Sequence, residues 1–279
     1  MRFAICNELF AGWPLARVMQ HVARLGYRGL ELAPFTFGAP VRELGPVWRR
    51  EMRLEARRVG LRLVGLHRLL AGTQGLHLSH PDLAVRRRTA AHLAALGELC
   101  ADLGGRVLVL GSPAERRVLP GCTVQDAWRY TQDTVIRCLP HLYEAGVLLC
   151  LEPLGREETD LVNTVAEGIR FLEELDHPAL RLQLDVKAMQ SEGGSIPDLI
   201  AQAAPYVAHV HASDGRAAPG FGSLDFAPIL GALRAIGYRG YVSVEAFDTA
   251  PGPQAIAERS LACLRAALAR AGTAPPTAS

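Results

Sequence analysis

The amino-acid sequence predicts an α/β protein built as a single (β/α)8 barrel. Eight short apolar runs alternate with eight longer amphipathic segments, which is the pattern of repeated parallel βα units. Glycines end several of the amphipathic segments shortly before the next apolar run, as short loops from helix to strand require. The length of 279 residues suits one such barrel, for which about 250 residues are typical.

The strand candidates, taken from the N-terminus, are short runs of leucine and β-branched residues. The first five read RFAIC, GLEL, LRLVGL, RVLVL and VLLCL. The last three, RLQLD, YVAHVH and YVSVEA, each carry a polar residue at or near the carboxyl end. Such runs are typical of strands buried in a parallel sheet. The predicted strands are residues 2–6, 29–32, 61–66, 106–110, 147–151, 181–185, 206–211 and 241–246.

The segments between these strands have apolar residues three or four positions apart, the spacing that forms one face of a helix. Gly26, Gly60, Gly104, Gly146 and Gly237 each follow the last turn of such a segment, where a left-handed residue is expected. The predicted helices are residues 15–25, 44–59, 82–103, 123–145, 162–175, 196–203, 226–236 and 253–271.

A doubly wound open sheet is the alternative fold for alternating strands and helices. The chain has no G-x-G-x-x-G sequence after the first strand, and eight strands of similar length favour the closed barrel. We therefore expect one barrel domain, residues 1–271. A disordered tail, residues 272–279, is expected to follow it, because this segment is small, polar and contains proline.

The composition excludes several classes of function. A net charge of +2 gives no electrostatic argument for a nucleic-acid or membrane partner. No apolar run reaches the roughly 20 residues of a membrane helix, and the first residues lack the features of a signal peptide. The six cysteines are scattered without a C-x-x-C pair, which indicates reduced thiols and predicts a cytoplasmic protein.

Four neighbouring strands each end in a potential metal ligand. Glu152, Asp185, His211 and Glu245 lie at the ends of strands five, six, seven and eight. The carboxyl ends of barrel strands meet at one rim, where barrel enzymes have their active sites. Three buried carboxylates would repel each other unless a cation joined them. Three carboxylates and one imidazole suit one Mn²⁺, Co²⁺, Mg²⁺ or Zn²⁺ ion, so the sequence predicts a divalent metal site.

At these positions the sequence resembles the xylose isomerase-like TIM barrel superfamily, and within it the sugar phosphate isomerase/epimerase group. The resemblance runs nearly from end to end. The motifs that carry it follow strands three to eight: Gly65-Leu66-His67, Leu110-Gly111-Ser112-Pro113, Glu152-Pro153, Asp185, His211-x-x-Asp214, Pro219-Gly220-x-Gly222-x-x-Asp225-Phe226 and Glu245.

The resemblance implies a metal-dependent isomerase or epimerase of a small sugar or sugar-like ketose. In the related epimerases, two metal-bound glutamates flank the substrate. One removes the proton beside the carbonyl, and the other returns it on the opposite face, through an enediolate. In this chain those glutamates are Glu152 and Glu245. Arg216 matches the family arginine after strand seven that contacts substrate oxygens. Barrels of this group often dimerise, so a homodimer is compatible with the resemblance.

The sequence departs from the family pattern after strand six. The related epimerases have Asp-x-x-His there, with the histidine touching the substrate, whereas this chain has Ala188 at that position. Lys187, the only lysine among 30 Lys plus Arg residues, is adjacent. A compact ammonium group can hold a substrate oxygen. We therefore predict that Lys187 binds substrate and partly replaces the missing histidine.

Two further residues are candidate substrate ligands. His67 and Glu31 end strands three and two and should face the same rim. For His67, a structural hydrogen bond at the barrel mouth is the alternative. The segment 115–117, which reads Glu-Arg-Arg, could neutralise an acidic end of a substrate, but a plain surface pair explains it without such a role and is the preferred interpretation.

Three other functions remain open at this stage. A metal-dependent lyase or dehydratase of a cyclic polyol or keto-acid would use the same α-proton abstraction. An endonuclease IV-like DNA repair enzyme would need additional zinc-binding histidines, and Gly111, Ser112, Ala188 and Ala227 occupy some of their expected positions. A non-enzymatic metal-binding barrel is the third alternative.

Overall fold

The computed structural model describes residues 1–272, and within them eight parallel strands close into a barrel in the order β1 to β8. This confirms the predicted fold class. Each strand pairs with its neighbours in the sequence, and β1 closes the barrel against β8. The strands are β1 (Arg2–Cys6), β2 (Gly29–Leu32), β3 (Arg62–Leu66), β4 (Val107–Leu110), β5 (Leu148–Leu151), β6 (Leu180–Asp185), β7 (Val207–Ala212) and β8 (Tyr241–Val244).

The helices pack around the outside of the barrel. They are α1 (Leu15–Leu25), α2 (Pro46–Arg58), α3 (Leu83–Leu103), α4 (Val124–Glu144), α5 (Val165–Leu175), α6 (Val186–Glu192), α7 (Ile196–Gln202), α8 (Phe226–Ala235) and α9 (Pro253–Ala271). The short helix α6 was not predicted. It begins where the Asp185 side chain accepts a hydrogen bond from the Lys187 amide, and its seven residues are too few to show a helical period in the sequence.

The main core lies between the sheet and the helices, where buried Leu, Val, Ile and Phe side chains form one continuous cluster. A second, small cluster of Val107, Val109 and Cys150 lies apart from it. No helix within residues 1–272 is both long enough and apolar enough to cross a membrane.

The predicted division into a domain and a tail stays an expectation. The described residues 1–272 contain the barrel with its outer helices, and Gly272 still donates its amide hydrogen to the Ala269 carbonyl at the end of α9. Of the predicted tail, residues 273–279 lie outside the described part of the chain.

Two irregularities in strand pairing concern the strands that carry site residues. The register between β2 and β3 shifts at Leu30/Glu31, and the register between β6 and β7 shifts at Leu182/Gln183. An extra residue in one strand turns the side chains that follow it, as β-bulges near active sites commonly do. Beyond the second shift, Asp185 lies directly opposite His211.

Candidate metal centre and active site

The structure brings the four predicted metal ligands to one cavity at the carboxyl ends of the strands. Glu152 directly follows β5, Asp185 ends β6, His211 is in β7 and Glu245 directly follows β8. All four side chains are buried and line a cavity of about 230 Å³. This volume lies below the range usual for drug-sized ligands and suits a small molecule.

Three of these residues converge closely. A nitrogen of His211 and one oxygen each of Glu152 and Glu245 lie within 4.8 Å of one another. His211 Nδ1 is 3.1 Å from Glu245 Oε2 and 3.9 Å from Glu152 Oε1. Asp185 faces the same cavity, but its Oδ1 accepts hydrogen bonds from Ser213 Oγ at 3.1 Å and from the Lys187 amide at 2.8 Å. These partners hold the Asp185 carboxylate in a fixed orientation.

Mutual repulsion and burial govern the protonation of this group. Burial, followed by the charge of Asp185, holds the pKa of Glu152 well above its usual range. Burial and the charge of Glu245 raise the pKa of Asp185 to about 6. Burial alone would also raise the pKa of Glu245, but the neighbouring His211 lowers it to about 2. The crowding of three buried carboxylates around one imidazole is the charge excess that a divalent cation relieves, so the donor set fits a metal ion.

Glycine at position 111 makes room for Glu152, one of the predicted ligands. Gly111 follows β4, and a Cβ atom there would collide with Glu152 Oε2. On the far side of Glu152, the fully buried Arg116 donates from Nη1 to the Glu152 carbonyl oxygen at 2.8 Å. Burial lowers the pKa of Arg116 to about 10. Arg116 therefore supports the backbone of Glu152. It forms neither the surface ion pair nor the substrate contact that were considered from the sequence.

The structure places Glu31 beneath the cavity, away from the position expected for a substrate ligand. Glu31 is fully buried and does not line the cavity. His209 Nε2 donates to Glu31 Oε2 at 2.7 Å, and His211 Nε2 donates to Glu31 Oε1 at 3.0 Å. Both carboxylate oxygens therefore accept hydrogen bonds from histidines of β7. The structure does not bring Glu31 to the cavity wall, and its contact with substrate hydroxyls stays a prediction.

His67 lies on the cavity wall, as predicted. Its Nε2 donates to Glu8 Oε2 at 2.9 Å, and its Nδ1 is 3.8 Å from Glu245 Oε1. Burial would lower the pKa of His67, but the charges of Glu8, Glu31 and Glu245 raise it. Glu8 was missed in the sequence analysis. It follows β1 as the other acids follow their strands, and that position was the available signal.

Lys187 lies beside the cavity and is already paired. Its Nζ is 2.6 Å from Glu158 Oε2 and 4.8 Å from the centre of the Phe247 ring. Glu158 and Phe247 line the cavity, and neither was identified from the sequence. Both belong to loops after strands, which have no periodic pattern to mark an inward-facing side chain.

Arg216 is exposed and does not line the cavity in this structure. Its backbone carbonyl accepts hydrogen bonds from the amides of Phe247 and Asp248. The segment around Arg216 thus joins the loop after β7 to the loop after β8. The structure does not bring the Arg216 side chain together with the metal ligands.

Comparison with known proteins gives the context for this site. The profile of a family described as xylose isomerase-like TIM barrel matches residues 19–267. The chain is 30% identical over 234 residues to a D-psicose 3-epimerase of Ruminiclostridium cellulolyticum, covering 82% of this chain and 77% of that protein. It is 26% identical over 274 residues to a probable ketose 3-epimerase of a Synechocystis species, covering 89% of each.

Solved structures agree with the fold. A crystal structure of D-psicose 3-epimerase in the presence of D-fructose superposes with a TM-score of 0.85 at 23% identity, covering 96% of this chain and 99% of that chain. The apo structure of 3-keto-D-glucoside 4-epimerase from E. coli gives a TM-score of 0.83 at 22% identity, covering 95% of this chain and 99% of that chain.

Proposed function

Because the chain belongs to the xylose isomerase-like TIM barrel family, we propose that it is a divalent-metal-dependent 3-epimerase of a small ketose. The broader class, a sugar isomerase or epimerase, follows from the relatives, and the position of epimerisation is the finer part of the proposal. The observation that carries it is the convergence of Glu152 and Glu245 on one small cavity together with His211.

Two separate carboxylates at one cavity can supply both halves of a proton transfer. Glu152 and Glu245 both line the cavity. One of them can accept the proton beside the carbonyl, while the other, in its protonated form, donates a proton. Proton removal by one glutamate and return by the other, from opposite sides of the carbon, inverts the configuration. The reverse reaction exchanges the two roles.

We assign Glu152, Asp185, His211 and Glu245 as the ligands of one divalent ion, for which Mn²⁺, Co²⁺, Mg²⁺ and Zn²⁺ are the candidates. When bound, the ion would act as a Lewis acid that polarises the substrate carbonyl. The chain itself orients the ligands through Ser213, Arg116 and the packing of Glu152 against Gly111.

The walls of the cavity would bind the rest of the sugar. Lys187 and Glu158 form an ion pair at its edge, and each can exchange that partner for a substrate hydroxyl. His67 has its Nδ1 directed toward Glu245. Ala188 is buried and its side chain carries no polar atom, so Lys187 is our candidate for the function of the family histidine. Arg216 would have to change its conformation to reach the substrate.

The experiment is solvent isotope exchange with product analysis. The purified chain with Mn²⁺ is incubated in deuterated water with a panel of ketoses that includes D-psicose and L-ribulose. We expect one deuterium in place of the hydrogen on the carbon beside the carbonyl. Apart from this exchange, the product should have the same elemental formula as the substrate, with no loss of water. Glu152→Gln and Glu245→Gln should each lower turnover at least about 100-fold, because a positioned acid or base contributes about 10²–10⁴-fold.

Two other outcomes would decide against the proposal. A product that has lost water would identify a lyase or dehydratase. Exchange that continues unchanged in both glutamine variants would place the proton-transfer group elsewhere. Leu54→Ala, on an exposed part of α2 remote from the cavity, is the control and should retain wild-type turnover.

Two further expectations belong to this proposal. We propose that the protein works in the cytoplasm, in keeping with its free cysteines, and that it forms a homodimer, as barrels of this group often do. Sedimentation or light scattering of the purified chain measures the second.

A further inference from the structure

A buried carboxylate that the proposed mechanism does not use lies below the metal ligands. Glu31 is fully buried in the barrel and does not line the cavity. A carboxylate in such a place is unfavourable unless hydrogen bonds or charges compensate it. Here His209 and His211 satisfy one oxygen each, at 2.7 and 3.0 Å.

These hydrogen bonds cross the interior of the barrel. Glu31 belongs to β2 and the two histidines belong to β7, and β1 and β8 lie between these strands in the closed sheet. Neither bond is therefore part of the pairing of adjacent strands. The register shift between β2 and β3 puts the extra residue, Val64, in β3, and Glu31 keeps its regular pairing with Cys6 of β1.

The bond to His211 determines which of its nitrogens remains for a metal. A histidine binds a cation through a ring nitrogen that carries no hydrogen. Because His211 Nε2 donates to Glu31, its Nδ1 is the atom left on the side of Glu152 and Glu245. The bond from His209 to the second oxygen prevents the Glu31 carboxylate from turning away.

We propose that Glu31 is a positioning residue of the metal centre, which holds His211 with Nδ1 directed at the cation that Glu152 and Glu245 bind. This inference rests on the metal site of the proposed function. A carboxylate behind a metal-binding histidine is a frequent arrangement, and its loss typically costs about 10–100-fold in metal affinity or activity.

One alternative follows from the same residues. Atoms of Cys6, Glu31, His67 and His211 also lie within 4.8 Å of one another, so that Glu31 could itself bind a second cation. The hydrogen-bond distances of 2.7 and 3.0 Å from Glu31 to the histidines favour direct contact over a bridging ion. The number of ions bound per chain separates the two arrangements.

The experiment is calorimetric titration of the full metal-free chain with Mn²⁺, comparing the wild type with Glu31→Gln. An amide accepts a hydrogen bond at only one of its two terminal atoms, so Gln cannot accept from both histidines. We expect one Mn²⁺ per chain in both proteins and an affinity about 10–100-fold weaker in Glu31→Gln.

Gln183→Leu is the matched control. Gln183 is fully buried, lies opposite His209 in the pairing of β6 with β7, and neither of its amide atoms has a hydrogen-bond partner among the described residues. This variant changes a polar residue of the same interior without touching Glu31. Its Mn²⁺ affinity should stay within about twofold of the wild type, whereas a general loss of packing would weaken binding in both variants.

The outcomes separate the inference from the proposed function. Wild-type affinity in Glu31→Gln would overturn the positioning role and leave the metal site intact. Two Mn²⁺ per wild-type chain, reduced to one in the variant, would make Glu31 a ligand instead. No binding by the wild type would overturn the metal site and the positioning role together. If Glu31→Gln does not fold, Glu31→Asp replaces it in the experiment, because the shorter Asp side chain cannot reach both histidines. Wild-type Mn²⁺ affinity in Glu31→Asp would also overturn the inference.

Discussion

At the scale of single residues, Gly111 and Glu152 share one space at the mouth of the barrel. A Cβ atom at position 111 would overlap Glu152 Oε2, so the carboxylate occupies the volume that a larger residue would fill. Arg116 holds the backbone of Glu152 from the other side. The position of Glu152 therefore depends on the lack of a side chain at position 111 and on the buried guanidinium group of Arg116.

Replacing Gly111 by alanine tests this dependence. The added methyl group should displace the Glu152 carboxylate and lower kcat/KM for the ketose by about 100-fold, since displacements near 1 Å from the reacting geometry have costs of this size. Steady-state kinetics and Mn²⁺ titration measure the effect. The control is Gly231→Ala in α8, where the nearest atom to an added Cβ is 3.8 Å away. Equal kinetics for Gly111→Ala and wild type would show that Glu152 can move without loss.

At the scale of elements, α3 and α4 are joined by one charged side chain. Arg86 of α3 is largely buried and donates from Nε to Asp133 of α4 at 2.8 Å. Its Nη1 donates to the carbonyl oxygens of His80 and Pro81, both at 2.7 Å. Arg86 therefore ties α4 to the segment that connects β3 with α3.

Asp133→Asn should lower the free energy of unfolding by about 1 kcal/mol at pH 7, the size of a partly exposed charged hydrogen bond. Hydrogen bonds from Arg137 and then Arg86 lower the pKa of Asp133 below its ordinary value. This stabilisation is present above the unfolded pKa of about 3.9 and is lost as the pH falls through the lower folded value. The difference between variant and wild type should therefore shrink at acidic pH.

Urea unfolding between pH 7 and pH 3 measures the Asp133 effect. Glu98→Gln, a change of an exposed carboxylate on α3, is the control for a general loss of charge. A difference between Asp133→Asn and wild type that stays constant over this range would show that the charge of Asp133 does not contribute.

At the scale of the whole molecule, the barrel carries a cluster of buried charges at one end. Three carboxylates and one imidazole are held together by the strands that form the fold. A ligand that binds only the folded state stabilises it, by about 2.7 kcal/mol at a concentration 100 times its Kd. The stability of this barrel should therefore depend on its cation.

Chelation is expected to lower the Tm by about 5–10 °C relative to protein in excess Mn²⁺, from that free energy and a shift of about 2–4 °C per kcal/mol. Differential scanning calorimetry with EDTA and with Mn²⁺ measures it. Glu152→Gln removes one of the repelling charges, so its Tm in EDTA should equal or exceed that of the wild type while the Mn²⁺ effect disappears. A wild-type Tm that is the same in EDTA and Mn²⁺ contradicts the metal site.

The order of strands and helices and the positions of the four proposed metal ligands were determined by the sequence itself. Apolar runs and glycine-ended helices are local signals, because each depends on neighbouring residues along the chain. Glu152, Asp185, His211 and Glu245 could be identified because all four close an apolar strand, and parallel strands end at a common rim. The helix α6 escaped prediction because it is too short to show a period.

The partners of these ligands were decided only by the tertiary structure. Glu31 and His67 lie at strand ends as the proposed metal ligands do. Glu31 nevertheless accepts hydrogen bonds from two histidines and does not line the cavity, whereas His67 lines it. Arg116 appears in the sequence as a loop arginine and is fully buried. Hydrogen bonds across the barrel join residues up to 180 positions apart, and closure of the sheet brings them together. Sequence periodicity cannot predict contacts between residues so far apart in the chain, because it describes only which face of its own helix or strand a residue lies on.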